Sequence, residues 1–161
     1  MNGKLRNMAS IYIKNGDKIL LLDRIGSKVI DRSWCGIGGH FENEELNDAR
    51  AAVLREMNEE IGLTESDITD LKLRYVALRF MKNELRINYY FFADLKENAV
   101  INENCKEGFL EWVDLDKVNE RKMPVTAQYV LKHYLEKGIN TEDFYSVTVD
   151  SKDNVSFVSL L

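Results

Sequence analysis

Residues 38–63, GGHFENEELNDARAAVLREMNEEIGL, contain the strongest helix pattern in this chain of 161 residues. Apolar side chains recur every four positions from 53 to 61, which predicts a helix with one apolar face. Asn47 or Asp48 can cap its start, and Gly62 stands where helices usually stop. The irregular, glycine-containing segment 25–45 predicts a loop that leads into this helix.

The predicted helix carries a cluster of acidic residues near its end. Glu56 stands three residues before Glu59 and four before Glu60, so the three carboxylates share one face. Like charges at these offsets destabilise a helix by roughly 0.2–0.5 kcal/mol per pair. A divalent cation such as Mg²⁺, which favours carboxylate and carbonyl oxygens, would offset that repulsion. The alternative is an ordinary solvated face, on which Arg55 and Glu59 form a surface ion pair.

The order of these elements resembles the signature of the Nudix hydrolase family: Gly-Gly, five residues and a glutamate at 38–45, then Arg-Glu-hydrophobic-x-Glu-Glu-x-Gly-hydrophobic at 55–63. The family usually has a shorter spacing between the first glutamate and the arginine, whereas nine residues separate Glu45 from Arg55. A two-residue insertion keeps Glu45 in the family's role, and the usual spacing would select Asn47 instead. We favour Glu45. Ile37 also stands where many members have proline, but the acidic face of the helix is intact.

The resemblance implies a metal-dependent enzyme with Mg²⁺ or Mn²⁺ as its cofactor. The expected metal ligands are the backbone carbonyl of Gly39 and the carboxylates of Glu56, Glu59 and Glu60. Glycine at positions 38 and 39 has a physical use here, because no Cβ blocks a backbone group from facing a phosphate or a metal. A plain flexible turn is the alternative interpretation of the two glycines.

The resemblance also implies the catalytic residues, which we expect to be Arg55, Glu56, Glu59 and Glu107. Arg55 would orient a glutamate, and either Glu56 or Glu107 would take a proton from the attacking water. Glu107 is chosen because it precedes Trp112 in a later loop, where family members often have a further carboxylate. Glu103 or Glu111 could take its place.

Alternating and apolar runs predict strands around this motif, with hairpin turns at Asn15-Gly16 and at residues 82–84. The predicted strands are 8–13, 18–24, 71–80, 85–94, 109–113, 144–149 and 155–160, and a second helix follows Pro124 from 125 to 137. Mixed strands and helices without regular alternation favour an α+β fold over a doubly wound sheet. The resemblance implies a Nudix-type α/β/α sandwich with a central mixed sheet in residues 1–138. A C-terminal β-hairpin extension at 139–161 is expected to pack on the same domain.

The charge of the chain limits its partners. With a net charge of -5 and a pI near 5.2, it has no evident basic stripe for a nucleic acid polymer. The resemblance instead implies a small nucleotide substrate: a nucleoside diphosphate linked to another group X, as in a nucleoside triphosphate, an oxidised deoxynucleoside triphosphate or a nucleotide sugar. Hydrolysis would release a nucleoside monophosphate. Strand residues that could line its pocket are Arg79, Arg86, Tyr89, Tyr90 and Phe91. Of these, Arg79, Arg86 and Tyr89 are the candidate substrate-binding residues, because arginine holds phosphate and aromatic rings stack on bases.

The apolar segments, the cysteines and the C-terminal hairpin give expectations about location and assembly. The sequence has neither the apolar core of a signal peptide at its start nor an apolar run of about 20 residues, so we expect a cytoplasmic protein with no membrane partner. Cys35 and Cys105 do not form a metal-type pair and are expected to be reduced thiols. The C-terminal hairpin offers a strand edge through which a homodimer could form.

Two other functions stay open at this point. A non-catalytic sensor could bind a nucleotide or an ADP-ribose-type ligand on the same fold, although such sensors tend to lose the metal-binding glutamates, which this chain keeps. An isomerase or RNA-decapping variant is disfavoured by the acidic charge and the short chain. His40 and His133 lack neighbours in sequence that would suggest a nucleophilic dyad.

Overall fold

The computed structural model describes residues 3–24 and 32–161. Two α-helices are present in these ranges, α1 (Ala49–Ile61) and α2 (Val125–Glu136). The strands there are β1 (Leu5–Asn15), β2 (Lys18–Arg24), β3 (Ser33–Cys35), β4 (Ile37–His40), β5 (Ile68–Met81), β6 (Glu84–Leu95), β7 (Gly108–Asp114), β8 (Tyr145–Val149) and β9 (Val155–Ser159). Short 3₁₀ turns occur at Asn43–Glu45, Glu65–Asp67, Leu115–Glu120 and Gly138–Asn140.

The strands of the described residues form one mixed sheet. Its main order is β3-β2-β1-β6-β5-β8-β9, with β4 also paired to β1 and β7 to β2. The β1–β6 and β5–β8 ladders are parallel, and the other ladders are antiparallel. The predicted central mixed sheet is therefore confirmed.

The two helices cover opposite faces of this sheet. The buried stripe of α1 packs into one apolar cluster with the strand residues of its face, and its members include Val53, Met57 and Ile61. The buried stripe of α2, including Val130 and Tyr134, belongs to a separate cluster on the other face. Each helix thus buries one apolar stripe against the sheet, as amphipathic helices do. The predicted α+β sandwich is confirmed.

The ends of α1 are set by local hydrogen bonds. The Asp48 carboxylate accepts a hydrogen bond from the Ala51 N–H at 2.9 Å, so Asp48 is the N-cap. Asn47 is exposed in the preceding turn. Gly62 ends the helix by donating its N–H to the Asn58 carbonyl at 2.9 Å. Of the two capping residues left open by the sequence, the structure selects Asp48.

Three sequence predictions need correction. The first hairpin turns at Gly16 and Asp17, because Asn15 still pairs with Lys18 in the ladder. The β5–β6 hairpin turns at residues 82 and 83, both with positive φ, and Glu84 is already the first residue of β6. The predicted loop over 25–45 is wrong for 33–40, where β3 and β4 form; residues 25–31 lie outside the described residues.

The C-terminal hairpin joins the sheet rather than standing apart from it. Strand β8 pairs with β5 in parallel, and β9 pairs with β8. The Phe157 ring on β9 stacks on His133 of α2, with ring centroids 4.1 Å apart. The hairpin thus extends the same sheet, while the division of the chain at residue 138 into a domain and an extension stays a prediction. In the described part of the chain, no helix is long and apolar enough to cross a membrane.

Candidate active site

The glycine pair of β4 lies directly against the acidic face of α1. A Cβ on Gly39 would stand 2.4 Å from Glu56 Oε1, far inside contact distance. Gly38 has φ +152°, and a Cβ there would stand 2.0 Å from the Ala9 carbonyl oxygen. Neither position can carry a side chain without a shift of its neighbours, because the Glu56 carboxylate lies against Gly39 and the β1 backbone lies against Gly38.

Arg55 holds three carboxylates at the start of this face. Its Nε and Nη2 donate to the two oxygens of Glu45 at 2.7 and 2.9 Å, a bidentate pair. Its Nη1 donates to Glu56 at 2.9 Å and to Glu59 at 3.1 Å, and Nη2 also donates to the His40 carbonyl at 3.0 Å. The Arg55 guanidinium holds the pKa of Glu45 below its ordinary value. Arg55 therefore orients several glutamates.

The Glu45–Arg55 contact shows how the longer spacing of this chain fits the fold. Residues 43–45 form a 3₁₀ turn, and the Glu45 carboxylate also accepts the Glu42 N–H at 2.9 Å. Three further residues then lead into the cap of α1 at Asp48. Glu45 reaches the arginine across this insertion and is buried, whereas Asn47 is exposed. The geometry thus favours Glu45 for the position that the resemblance gives to the first glutamate.

Glu60 is the buried carboxylate of the site, with its side chain only 6% exposed. Its Oε2 accepts the Gly38 N–H at 3.2 Å, but its Oε1 is buried without a hydrogen-bond partner. Arg24 Nη2 stands 3.9 Å from that oxygen. Burial raises the pKa of Glu60 to about 8, and the negative charge of Glu107 adds to this rise. A buried oxygen acceptor without a partner costs free energy that a bound cation would recover.

Arg24 connects this carboxylate to Glu107. Its Nη2 donates to the Gly38 carbonyl at 3.0 Å and lies 3.1 Å from Glu107 Oε2. Glu107 therefore reaches the acidic face, as the sequence predicts. The alternative Glu111 is engaged elsewhere, accepting a hydrogen bond from Trp34 Nε1 at 2.8 Å and binding Arg121. Sequence reasoning did not identify Arg24, which meets Glu107 because β2 pairs with β7 and sets Arg24 opposite Gly108.

The carboxylates fit the predicted divalent ion by their chemistry. Within 3–24 and 32–161, no three Asp, Glu, His or Cys side chains already form a metal-binding group, and Glu59 is turned toward Arg55. Burial raises the pKa of Glu56, and the charges of Glu59 and Glu107 raise it further. A cation beside Glu60 Oε1 would supply the missing partner and offset this crowding of negative charge. Hard oxygen donors are the ligands that Mg²⁺ and Mn²⁺ prefer.

A cavity of about 430 Å³ lies on the α2 side of the sheet, where residues 124–127 form part of its wall. Gly38 and Arg24 line it, so it adjoins the glycine pair. Arg79 and Arg86, both predicted to bind substrate, line it as well. The third predicted residue, Tyr89, packs on Phe41 of the opposite face, with ring centroids 5.2 Å apart.

Sequence reasoning missed Arg6 and Asn88 among the pocket residues, and it chose Tyr89 over Tyr90 as the substrate-binding aromatic. Successive side chains of a strand point to opposite faces, so residues 86, 88 and 90 share one face of β6. Asn88 and Tyr90 accordingly line the cavity beside Arg86, and Arg6 enters it from β1. The alternation of β6 was the signal that could have selected Tyr90 in place of Tyr89.

The cysteines and histidines supply no nucleophile to this site. Cys35 and Cys105 are free thiols, and burial raises the pKa of Cys35 to about 11, so its thiol stays protonated. His133 Nδ1 lies 3.0 Å from the Tyr75 hydroxyl in the core beneath β9. The His40 side chain is on the surface, 2.6 Å from Arg6. The chemistry of the site therefore belongs to its carboxylates and arginines.

Comparisons with known proteins agree with this geometry. A family model described as NUDIX domain matches residues 4–134. The MutT protein of Bacillus halodurans is 20% identical with a TM-score of 0.70, and the match covers 96% of this chain and 97% of that one. The MutT protein of Methanosarcina mazei is 18% identical with a TM-score of 0.68, and the match covers 88% of this chain and 99% of that one. An Ap4A hydrolase of C. elegans is 17% identical with a TM-score of 0.65, and the match covers 86% of this chain and 99% of that one. These structures share the fold, and since the family model spans most of the sequence, the chain belongs to the Nudix family of hydrolases.

Proposed function

We propose that this Nudix hydrolase uses Mg²⁺ or Mn²⁺ to cut the phosphoanhydride of a nucleoside diphosphate linked to another group X, releasing a nucleoside monophosphate. Nudix enzymes act on nucleoside diphosphate derivatives in general, and the family assignment makes the chain a pyrophosphohydrolase. The observation that carries the proposal is the buried Glu60 carboxylate beside the glycine pair, whose Oε1 lacks a hydrogen-bond partner. A cation shared with a diphosphate is the occupant that best satisfies it.

The metal ligands in this proposal are the Gly39 carbonyl, Glu56, Glu59 and Glu60. When bound, the ion neutralises charge on the diphosphate and lowers the pKa of a coordinated water. Glu60 is already fixed by the Gly38 N–H, and Glu56 by Arg55. Glu59 would have to leave its exposed contact with Arg55 to join them, which costs little because exposed ion pairs contribute about 0–1 kcal/mol.

The proton of the attacking water would be taken by Glu56 or Glu107. Glu56 is half-buried beside Gly39, where a phosphate would lie. Glu107 is more exposed, with its side chain 52% accessible, and is paired with Arg24. Glu107→Gln distinguishes them, because Glu56 is also a proposed metal ligand and its replacement lowers activity in either case. The general base should lose about 10²–10⁴ in kcat when replaced.

The cavity lined by Arg79 and Arg86 would hold the rest of the substrate. Guanidinium groups form paired hydrogen bonds with phosphate oxygens, and the Tyr90 ring offers an apolar surface for a base. Tyr89, on the other face, is left out of this proposed pocket. Because one structural neighbour is named an Ap4A hydrolase, nucleotides with longer phosphate chains belong among the substrates tested.

The test is a panel of nucleoside triphosphates, oxidised deoxynucleotides, nucleotide sugars and dinucleoside polyphosphates, each with Mg²⁺, Mn²⁺ or EDTA. We expect metal-dependent release of a nucleoside monophosphate, identified by chromatography, and its loss in Glu60→Gln. Tight binding of a nucleotide without turnover of any compound would favour the non-catalytic sensor instead. A cytoplasmic location and a homodimer remain predictions, which fractionation and light scattering can check.

A further inference from the structure

Three arginines stand side by side across the sheet at one end of the pocket. Arg6 on β1 pairs in register with Arg86 on β6, and Arg86 pairs with Arg79 on β5. All three line the cavity, and we call them the arginine row. Like charges directly opposite each other on neighbouring strands destabilise a sheet. In a chain of net charge -5, this concentration of positive charge needs an explanation.

The acids that contact the arginine row do not balance its charge. Glu84 accepts hydrogen bonds from Arg86 at 3.0 Å and from Arg6 at 3.5 Å. Asp153, from the loop between β8 and β9, binds Arg79. Among the ion pairs of the described residues, two carboxylates thus face three guanidinium groups. One positive charge is left over at this end of the pocket.

Arg6 is the least satisfied member of the arginine row. Its Nε is buried without a hydrogen-bond partner, and its contact with Glu84 is the longest in the group. Its other partner is His40 Nε2 at 2.6 Å. Burial and the charge of Arg6 lower the pKa of His40, so that ring accepts the bond as a neutral group. Arg6 therefore has a donor available for a further acceptor.

The arginine row is remote from the glycine pair but opens into the same cavity. Gly38 pairs with Ser10 and Gly39 with Ala9, four and three residues along β1 from Arg6. At about 3.3 Å per residue these separations are roughly 10–13 Å along the strand. The row therefore faces a part of the substrate other than the phosphates beside Glu56 and Glu60.

We infer that the arginine row binds a negatively charged group that the substrate carries in addition to the diphosphate that is cut. The inference rests on the proposed function, because it concerns the same pocket. A neutral base needs one bidentate arginine, whereas a phosphate or carboxylate offers several acceptors and offsets the surplus charge of the row. The group can belong to either half of the substrate: a phosphate on the ribose, or an acid on group X.

The test measures the binding of ligands that differ only in that negative charge. EDTA is present so that the ligands are not hydrolysed during the measurement. NADPH against NADH adds a ribose phosphate, and UDP-glucuronate against UDP-glucose adds a carboxylate on X. We expect the charged member of one pair to bind about tenfold more tightly by calorimetry, the scale of one charged hydrogen bond. Arg6→Gln removes that preference, and Arg86→Gln does the same if the first variant folds poorly. Arg50 lies on α1 outside the pocket and forms an exposed ion pair with Glu65, so Arg50→Gln should preserve the charge preference.

Equal affinities within both pairs, or no measurable binding of all four ligands, would overturn the inference. A charge preference that persists in both Arg6→Gln and Arg86→Gln would do so as well. The same pairs are then assayed for hydrolysis with Mg²⁺. Turnover without a charge preference would support the proposed function and contradict the inference about the arginine row. A charge preference in EDTA without any turnover would support binding by the row and contradict the proposed function.

Discussion

Breaking the Glu45–Arg55 pair should destabilise the protein strongly, although Glu45 lies outside the family's usual spacing. Two short N–H···O bonds join the side chains, at 2.7 and 2.9 Å, and the Glu45 side chain is 10% exposed. Removing one partner of a buried pair costs about 3–5 kcal/mol. Because Arg55 itself is 21% exposed, we take about 2–3 kcal/mol for Arg55→Ala.

A double-mutant cycle in EDTA measures this pair directly. Arg55→Ala, Glu45→Gln and the double variant are unfolded in urea and by heat, and about 2–3 kcal/mol corresponds to a Tm loss of roughly 4–12 °C at this size. The double variant should lose less than the sum of the single losses, because each single variant leaves the other group unpaired. Arg50→Ala on the same helix breaks the exposed pair with Glu65 and should cost no more than about 1 kcal/mol.

The outcome also decides which residue fills the family's first-glutamate position. Asn47→Ala should be nearly neutral, because Asp48 supplies the cap of α1. Strictly additive losses for the Glu45 and Arg55 variants would refute the assignment of Glu45. So would a collapse of turnover in Asn47→Ala with an unchanged Tm.

Three further predictions use other parts of the site. In EDTA, the free energy of unfolding should fall as the pH rises from about 4.5 to about 8, since the folded state favours protonated Glu60. The raised pKa of Glu60 corresponds to a loss of at most about 5 kcal/mol over this range. Urea titrations at several pH values measure this slope, which Glu60→Gln should flatten. Gly39→Ala should lower kcat by at least about tenfold while the protein remains folded by circular dichroism, because its Cβ would displace the Glu56 carboxylate. Asp153→Ala should lower KM several-fold and leave kcat nearly unchanged, since Arg79 loses the carboxylate that neutralises it and the surplus positive charge beside the cavity grows. Glu142→Ala, which removes one of the two carboxylates paired with Lys72 outside the pocket, is the matched control in that kinetic assay.

The helix α1 and its acidic face could be predicted because both depend on short-range periodicity. Glu56, Glu59 and Glu60 are fixed relative to one another by the helix itself, whatever the rest of the chain does. The same holds for the alternation that marks the long strands β5 and β6. Such features need no knowledge of what packs against them.

Features that depend on two distant segments could not be predicted in the same way. The contact of Arg24 with Glu107 requires β2 and β7 to pair, and the partner of Arg55 could not be chosen from residue counting alone. Tyr89 was preferred over Tyr90 because the sequence does not say which face of β6 meets the pocket. The first turn lies one residue later than expected, since the register of the β1–β2 ladder is set by the surrounding sheet.

The parallel ladder between β1 and β6 has a consequence for biosynthesis. It joins Leu5 to Leu85 and continues to Lys14 and Asp94, so β1 cannot pair with β6 until 80 further residues have been synthesised. Contacts of such large sequence separation slow folding, and an unpaired strand edge is a template for aggregation. A nascent chain arrested before β6 emerges should therefore depend on chaperones, and a chain arrested after β6 has emerged should depend on them less.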